Sequence, residues 1–506
     1  MDRTKHVVKN LKFTAVSELV LALLKFLSRR VFVLLLGKEY LGINGLFTDI
    51  LSMLSLAELG FGVSITYSLY RPVAEGDVEL IKSLMGLYRC FYRIVGMVVL
   101  SAGLCLVPFL DFFVKEMPEN IPHISLIYIL NVVNVSVSYF FSYKATLLFV
   151  CQKKYVDSMV RAAVGLLATG AQIGVLLLTG NYLHYLYIAI LSTVLQNGMI
   201  SAKTDALYPY LRERRVKPVP ADLIEDIRRN VSAMILHRIG SVAVFGTDNV
   251  LISKFVGIGT TGLYSNYIMI RNFLNIMTGT VFNAITPAVG NLNVTETVEE
   301  KRKTFGRLNF FAAWLFGWMS ICLLWLFDPF ITIWLGDDFL LPGPVVALIV
   351  INFYINSMRV PVANTKSVMG LFWDERYKSV LEAVMNLAVS VVLARTWGIG
   401  GILLGTFIST MALPFWIEPV GLYRHGLEQP VKNYFVRYLY YLTVTGTAGA
   451  LTGVLCGMTR GTMFGFFLKI LFCMFIPNAV YLAVYSRMEE FRFVKEVAAA
   501  VAGKIF

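Results

Sequence analysis

The chain has 506 residues, 57% hydrophobic and only 15% charged, with a net charge of +13. Soluble domains carry ~45–50% apolar and ~25% charged residues, so a soluble multidomain enzyme and a disordered chain are both excluded. The composition is that of an all-α polytopic membrane protein. Its basic excess belongs to loops on the cytoplasmic side rather than to a patch for nucleic acid.

About 14 transmembrane helices can be read between polar punctuation, at ~20 residues each. Span one, 13–36, follows a basic N-terminus (Arg3, Lys5, Lys9, Lys12) that superficially suggests a signal peptide. No small-residue cleavage site follows, so it is expected to remain as a span. It carries Thr14, Glu18, Lys25 and Arg29 on one stripe of a 3.6-residue helix, with Arg30 alongside. Three cations at that depth cost on the order of 8–10 kcal/mol, at ~2.5–3.5 each, so the stripe should face water or an anion rather than lipid. Span two, 43–66, holds Asp49 and Glu58, and spans three to six occupy 90–110, 121–148, 158–179 and 184–203. The segment 204–230, with Arg212, Arg214, Arg215, Lys217, Pro218 and Pro220, reads as a basic linker. Span seven, 231–256, aligns His237, Ser241 and Asp248; span eight, 263–289, puts Tyr264, Tyr267, Arg271, Asn275 and Thr278 along one face. The remaining spans lie near 308–330, 342–365, 379–396, 400–421, 438–456 and 463–485.

Both termini then fall on one side. The opposite side holds only Lys38, Lys115, Arg395 and Arg460, and this asymmetry places the termini in the cytoplasm. Lys144, Arg359, Glu382 and Glu418 near the cytoplasmic ends, and Lys254 near the outer end, read as snorkelling or paired charges. Lys25, Arg29 and Arg271 lie too deep for that. The deep groups are on balance cationic, which suits an anionic cargo carrying phosphate.

Gly42-Ile43-Asn44-Gly45-Leu46-Phe47-Thr48 and Gly259-Thr260-Thr261-Gly262-Leu263-Tyr264-Ser265 share the pattern G-x-x-G-L-aromatic-hydroxyl at an offset of 217 residues. Each follows the first span of a half. The expected organisation is an N-lobe over 1–203, the linker 204–230, a C-lobe over 231–421, and two further helices with a cytoplasmic tail over 422–506. Six spans per half makes the lobes pseudo-symmetric about an axis along the membrane normal.

The five histidines show no metal-ligand spacing, no P-loop or nucleophile elbow is present, and the six cysteines read as small buried apolar residues. No cofactor and no metal is expected. Coupling to H⁺ or Na⁺ would fall to Glu18, Asp49, Glu58, Asp248 or His237. Cation-bearing spans without catalytic apparatus read as a secondary transporter rather than an enzyme.

Tyr40-Leu41-Gly42 through Phe47, Leu56-Ala57-Glu58-Leu59-Gly60-Phe61-Gly62 and Ser68-Leu69-Tyr70-Arg71-Pro72 resemble bacterial polysaccharide flippases of the Wzx type, which serve O-antigen, capsule and exopolysaccharide synthesis. Thr247-Asp248-Asn249 leading to Tyr264-Ser265-Asn266-Tyr267, Glu382-Ala383-Val384-Met385-Asn386-Leu387, Gly398-Ile399-Gly400-Gly401 and Gly405-Thr406 are similar to the same family, so the resemblance covers nearly the whole chain. It implies a V-shaped fold like that of multidrug and toxic compound extruders (MATE) and lipid II flippases, with helices one, two, seven and eight lining a cavity. It also implies an inner-membrane location and a cargo of oligosaccharide on undecaprenyl pyrophosphate. A polysaccharide polymerase and glycosyltransferases are the partners the family implies. Related flippases place essential cations on spans one and eight, which by position assigns cargo binding to Lys25, Arg29, Arg30 and Arg271. Tyr264, Tyr267 and Asn275 are the polar and aromatic candidates for sugar contact, although a tyrosine in a span is at least as often there for packing.

Three other readings compete. A MATE-like extruder of organic cations should have a net acidic cavity. A membrane-embedded glycan polymerase or ligase needs a larger external loop than any present here. A scaffold has no use for deep cations.

Overall fold

A computed structural model describes residues 2–58, 61–213, 216–229, 231, 246–295, 297–369, 371, 377–459, 461–492 and 495; the side chains of 2–16, 18, 56, 57, 63 and 283–295 are outside the description. Every regular element in it is helical. Nine of the described helices are long and apolar enough to cross a membrane, and this is a multi-pass membrane protein. Spans one, two and eight, whose polar stripes carry the candidate site, are not among those nine.

The chain divides into two compact units, Met1–Ser265 and Asn266–Phe506. In the first, α1 (Asp2–Leu36) is followed by α2 (Lys38–Leu54), a 3-10 turn Ser55–Glu58, α3 (Phe61–Glu75), α4 (Val78–Cys105), the short α5 (Leu110–Phe113), α6 (Ile124–Val150), α7 (Lys154–Thr179), α8 (Tyr182–Leu207) and α9 (Asp248–Phe255). Starts are set by caps: Asp77 accepts from Leu80 N at 3.0 Å to open α4, and Asn181 accepts from Leu183 N at 2.8 Å to open α8. α1 packs on α7, α4 on α6, and α6 on α8. The core gathers Ile65, Leu69, Leu84, Tyr88, Val99 and Leu147.

The segment expected as a linker packs onto that core through Tyr208, Tyr210, Leu211, Val219, Leu223 and Ile227. Lys82 holds it with an ion pair to Glu213 at 2.7 Å.

The N-terminal turns of α10 (Ile258–Thr295) belong to the first unit and the remainder of that helix to the second. The second unit continues with α11 (Val298–Trp334), α12 (Gly343–Met358), α13 (Val360–Met369), α14 (Lys378–Ala412), α15 (Pro414–His425), α16 (Lys432–Gly457) and α17 (Met463–Tyr485). Within α14, Gly398 takes φ 55° and ψ −131°, so two spans fold back on each other there as the sequence divides them. Their contact is close: a Cβ on Gly405 would lie 2.1 Å from Ser390 Oγ.

All six cysteines are free, but only Cys456 and Cys473 are buried. Cys90 and Cys105 are exposed, contrary to the expectation of burial. Exposed Ile94, Met97 and Val98 share α4 with them, so small apolar side chains are placed toward lipid as readily as toward the core.

The repeat motif has a structural counterpart within the first unit. A Cβ on Gly42 would come 1.9 Å from Ile258 O, and a Cβ on Gly262 would come 2.1 Å from Lys38 O. The two helices therefore cross backbone to backbone through these glycines. Gly42 and Gly262 are 220 residues apart, as are Lys38 and Ile258. The positive-φ glycines that precede α2 and α10, Gly37 and Gly257, have the same separation. The offset is thus 220, not the 217 expected from the motif. The seven-residue motif matches better at 217, but the two offsets differ by three residues, close to one helical turn, so Gly259 and Gly262 share a helix face and the motif alone does not tell which of them makes the crossing.

Candidate functional site

On α1, Arg29 is half-buried, while Lys25 and Arg30 are exposed. Arg29 Nη1 donates to Ser265 Oγ at 3.4 Å, beside the α2–α10 crossing. One turn further along, Phe32 meets Tyr182 and Tyr185 of α8 edge-on at 5.3 and 5.5 Å, which fixes the rotation of α1. The 220-residue offset relates Arg29 to Asn249 and Ser265 to Gly45. A Cβ on Gly45 would lie 3.7 Å from Asn249 Nδ2, so the contact recurs in the second repeat with an amide in place of the guanidinium.

On α10, Arg271 is half-buried and Asn275 exposed on the same face. Among the described residues, Arg271 Nη2 reaches its neighbour Asn272 Oδ1 at 3.5 Å, and its buried Nε has no hydrogen-bond partner. No carboxylate among the described residues lies within ion-pair distance of Lys25, Arg29, Arg30 or Arg271.

Cations near the helix ends behave differently. Lys144 pairs with Asp205 at 2.7 Å. Arg359 makes a bidentate bond to Glu418, with Nε–Oε2 at 3.0 Å and Nη2–Oε1 at 2.7 Å. Its Nη1 donates to Asn356 Oδ1 at 2.9 Å and lies 3.5 Å from Glu382. Lys378 also bonds Glu418. Among the described residues, Arg359 and Lys378 thus answer the two buried carboxylates Glu382 and Glu418. Arg359→Met should lower stability by ~3–5 kcal/mol because Glu382 and Glu418 are left with one cation. By contrast Arg30→Gln should stay within ~0.5 kcal/mol. Thermal unfolding of the purified variants checks both, and equal shifts would contradict the distinction.

Tyr264 and Tyr267 are both buried, and their hydroxyls are committed to the protein. Tyr264 donates to Asp248 at 2.9 Å, which joins two of the expected site residues. Tyr267 donates to Asp328 at 2.8 Å and accepts from Leu341 N at 3.1 Å, tying α10 to α11 and to the turn before α12.

Among the expected coupling residues, Glu58 ends a chain of hydroxyls. Thr146 donates to Tyr88 at 3.4 Å, Tyr88 to Tyr92 at 3.0 Å, and Tyr92 to Glu58. Gly62 leaves room for this chain, since its Cβ would lie 3.0 Å from the Tyr88 hydroxyl. Asp49 is half-buried on α2. His237 and the Glu18 side chain lie outside the described residues. Sequence reasoning misses the Tyr88–Tyr92 relay and Lys378. Tyrosines at i and i+4 on an apolar span give the same signal as core packing.

No protein-family model and no curated protein matches this chain. Solved structures do. A lipid II flippase MurJ in an inward closed conformation is similar at TM-score 0.64 and 11% identity, over 94% of this chain and 98% of that one. A multidrug resistance MATE family transporter of the MOP superfamily, inward-facing, gives 0.55 and 16%, over 80% and 96%. A MATE transporter of Vibrio cholerae gives 0.59 and 13%, over 84% and 98%. The chain therefore has the fold common to these flippases and transporters.

Proposed function

We propose that this chain, which has the MurJ and MATE fold, is a flippase for an oligosaccharide carried on undecaprenyl pyrophosphate. It moves its cargo from the cytoplasmic to the outer leaflet by alternating access, for surface polysaccharide synthesis of the Wzx type. The observation that carries this reading is that Lys25, Arg29, Arg30 and Arg271, on the spans read from the sequence as one and eight, have no acidic partner among the described residues, in a protein that neutralises Lys144 and Arg359 with carboxylates. An unpaired guanidinium in a span is costly, and a pyrophosphate in transit is the counterion that offsets the cost. Asn275 is the polar group left open for sugars.

The polyprenyl tail stays in lipid, since each methylene withdrawn costs ~0.8 kcal/mol. The basic bias of the loops supports cytoplasmic termini, and the resemblance to Wzx-type flippases implies an inner-membrane location. Polymerase and glycosyltransferases of the same pathway are the partners. Coupling to H⁺ or Na⁺ falls best on Glu58, whose tyrosine relay gives a proton a hydrogen-bonded path.

Extrusion of organic cations, the alternative on the same fold, is disfavoured by the sign of these charges. The test is ligand-induced stabilisation of the purified protein. A short-chain prenyl pyrophosphate oligosaccharide at about 100 times its Kd should stabilise by ~2.7 kcal/mol. The matching monophosphate should do less and tetraphenylphosphonium nothing. Stabilisation by the cation and not by the pyrophosphate would replace this reading with the extruder.

A further inference from the structure

A second basic site lies wholly within the unit Asn266–Phe506, away from the residues assigned to cargo. A cavity of about 600 Å³ opens between the first turns of α11, the segment joining α15 to α16, the first turns of α16, and the residues that follow α17. Its cations are Arg302, Lys303, Arg307, Lys432 and Arg437, against the carboxylates of Glu299, Glu489 and Glu490. The balance is positive, and the cations differ in how they are held.

Arg302 is fixed by donating to Leu427 O and Glu428 O, both at 2.7 Å, which leaves its charge without a carboxylate in those bonds. Arg437 is held by Glu490 at 2.7 Å, and Lys303 by Glu300 at 2.9 Å. Lys432 is exposed and has no partner among the described residues. Gly306 keeps the floor open: a Cβ there would lie 3.3 Å from Arg437 Nη1 and 3.6 Å from Glu490 Oε1.

The cavity does not open on water alone. Val436 lines it and is exposed, and Leu439, Leu442, Leu451 and Val454 continue an exposed apolar surface along α16. In a membrane protein that surface meets acyl chains, so an amphipathic molecule can place its head among the cations and its tails along α16. Sites for small ligands run to ~300–1,000 Å³, which accommodates a glycerophosphate head. Basic pockets between helices on the cytoplasmic side recognise such heads.

We propose that this cavity binds the phosphate of an anionic phospholipid headgroup. The phosphate bridges Lys432 and Arg302, and the glycerol backbone lies toward Val436. This makes the second unit responsive to the anionic lipid content of its leaflet, independently of which cargo is carried.

The test uses the full chain purified in mild detergent. Phosphatidylglycerol and phosphatidylcholine with identical acyl chains are offered together, and retained lipids are counted by native mass spectrometry. A parallel arm offers inorganic phosphate alone and reads the thermal midpoint. Phosphatidylglycerol should be retained over phosphatidylcholine. Lys432→Glu, at an exposed position, reverses one charge and should cut that retention about thirtyfold, at ~1 kcal/mol for each of the two charge units altered. Inorganic phosphate should leave the midpoint unmoved. A midpoint shift with phosphate that Lys432→Glu abolishes, without any lipid preference, would assign the site to a soluble phosphate compound and overturn the lipid source. Equal retention of the two lipids with no phosphate effect, or a preference untouched by Lys432→Glu, would overturn the site itself.

Discussion

Arg29→Ala combined with Arg271→Ala should abolish transport while the protein still inserts and folds. Neither guanidinium has a carboxylate partner among the described residues to strand, so the stability penalty seen when an ion pair is broken does not apply. What is lost is a charge-assisted contact to the cargo, worth ~1.5–3 kcal/mol for each group. Two such losses lower the initial rate by about two to four orders of magnitude. Lysine at either position keeps the charge and loses the planar fork, so Arg29→Lys and Arg271→Lys should retain part of the activity. The rate in proteoliposomes, normalised to folded protein by gel filtration, checks this. A double alanine variant within a factor of a few of the parent would remove the cationic pathway from the account.

Gly42→Leu or Gly262→Leu should be the most damaging single substitution outside the site. Even a Cβ would overlap backbone oxygen at these positions, by contact distances of 1.9 and 2.1 Å. Neither a rotamer change nor a yielding side chain relieves that overlap, so the two helices must separate. Overpacking a core usually costs ~1–3 kcal/mol, and a backbone clash at a helix crossing exceeds that range. Gly259 supplies the control, because a Cβ there finds nothing nearer than 3.8 Å. Gly259→Ala should leave the thermal midpoint unchanged, while Gly262→Ala lowers it. Equal behaviour of the two would mean that α2 and α10 do not cross through Gly42 and Gly262.

The contrast between Gly259 and Gly262 marks how far the amino-acid sequence is legible. The G-x-x-G pattern points to both segments, because small residues are what a close helix approach requires. It does not distinguish Gly259 from Gly262, since residues one turn apart occupy the same face. Charge is legible in the same partial way. Arg359, read from the sequence as a paired or snorkelling charge, is paired with Glu418, while Lys25, Arg29 and Arg271, read as deep, have no carboxylate partner among the described residues. The tyrosines are less legible. An aromatic with a hydroxyl on a polar stripe suits a sugar and a buried carboxylate equally, and only the folded chain shows Tyr264 committed to Asp248 and Tyr267 to Asp328. The basic cavity at Lys432 leaves no sequence signal, because its cations come from segments more than a hundred residues apart whose individual charges look like ordinary loop residues.

The most direct test of the central claim is a leaflet assay. A labelled undecaprenyl-pyrophosphate oligosaccharide is placed in proteoliposomes, and its accessibility to an external, membrane-impermeant sugar-modifying enzyme is followed with time. The account predicts translocation well above protein-free vesicles that disappears with the paired Arg29 and Arg271 alanines. An unchanged rate in those variants, or accumulation of an organic cation by vesicles that leave every tested glycolipid in place, would contradict it.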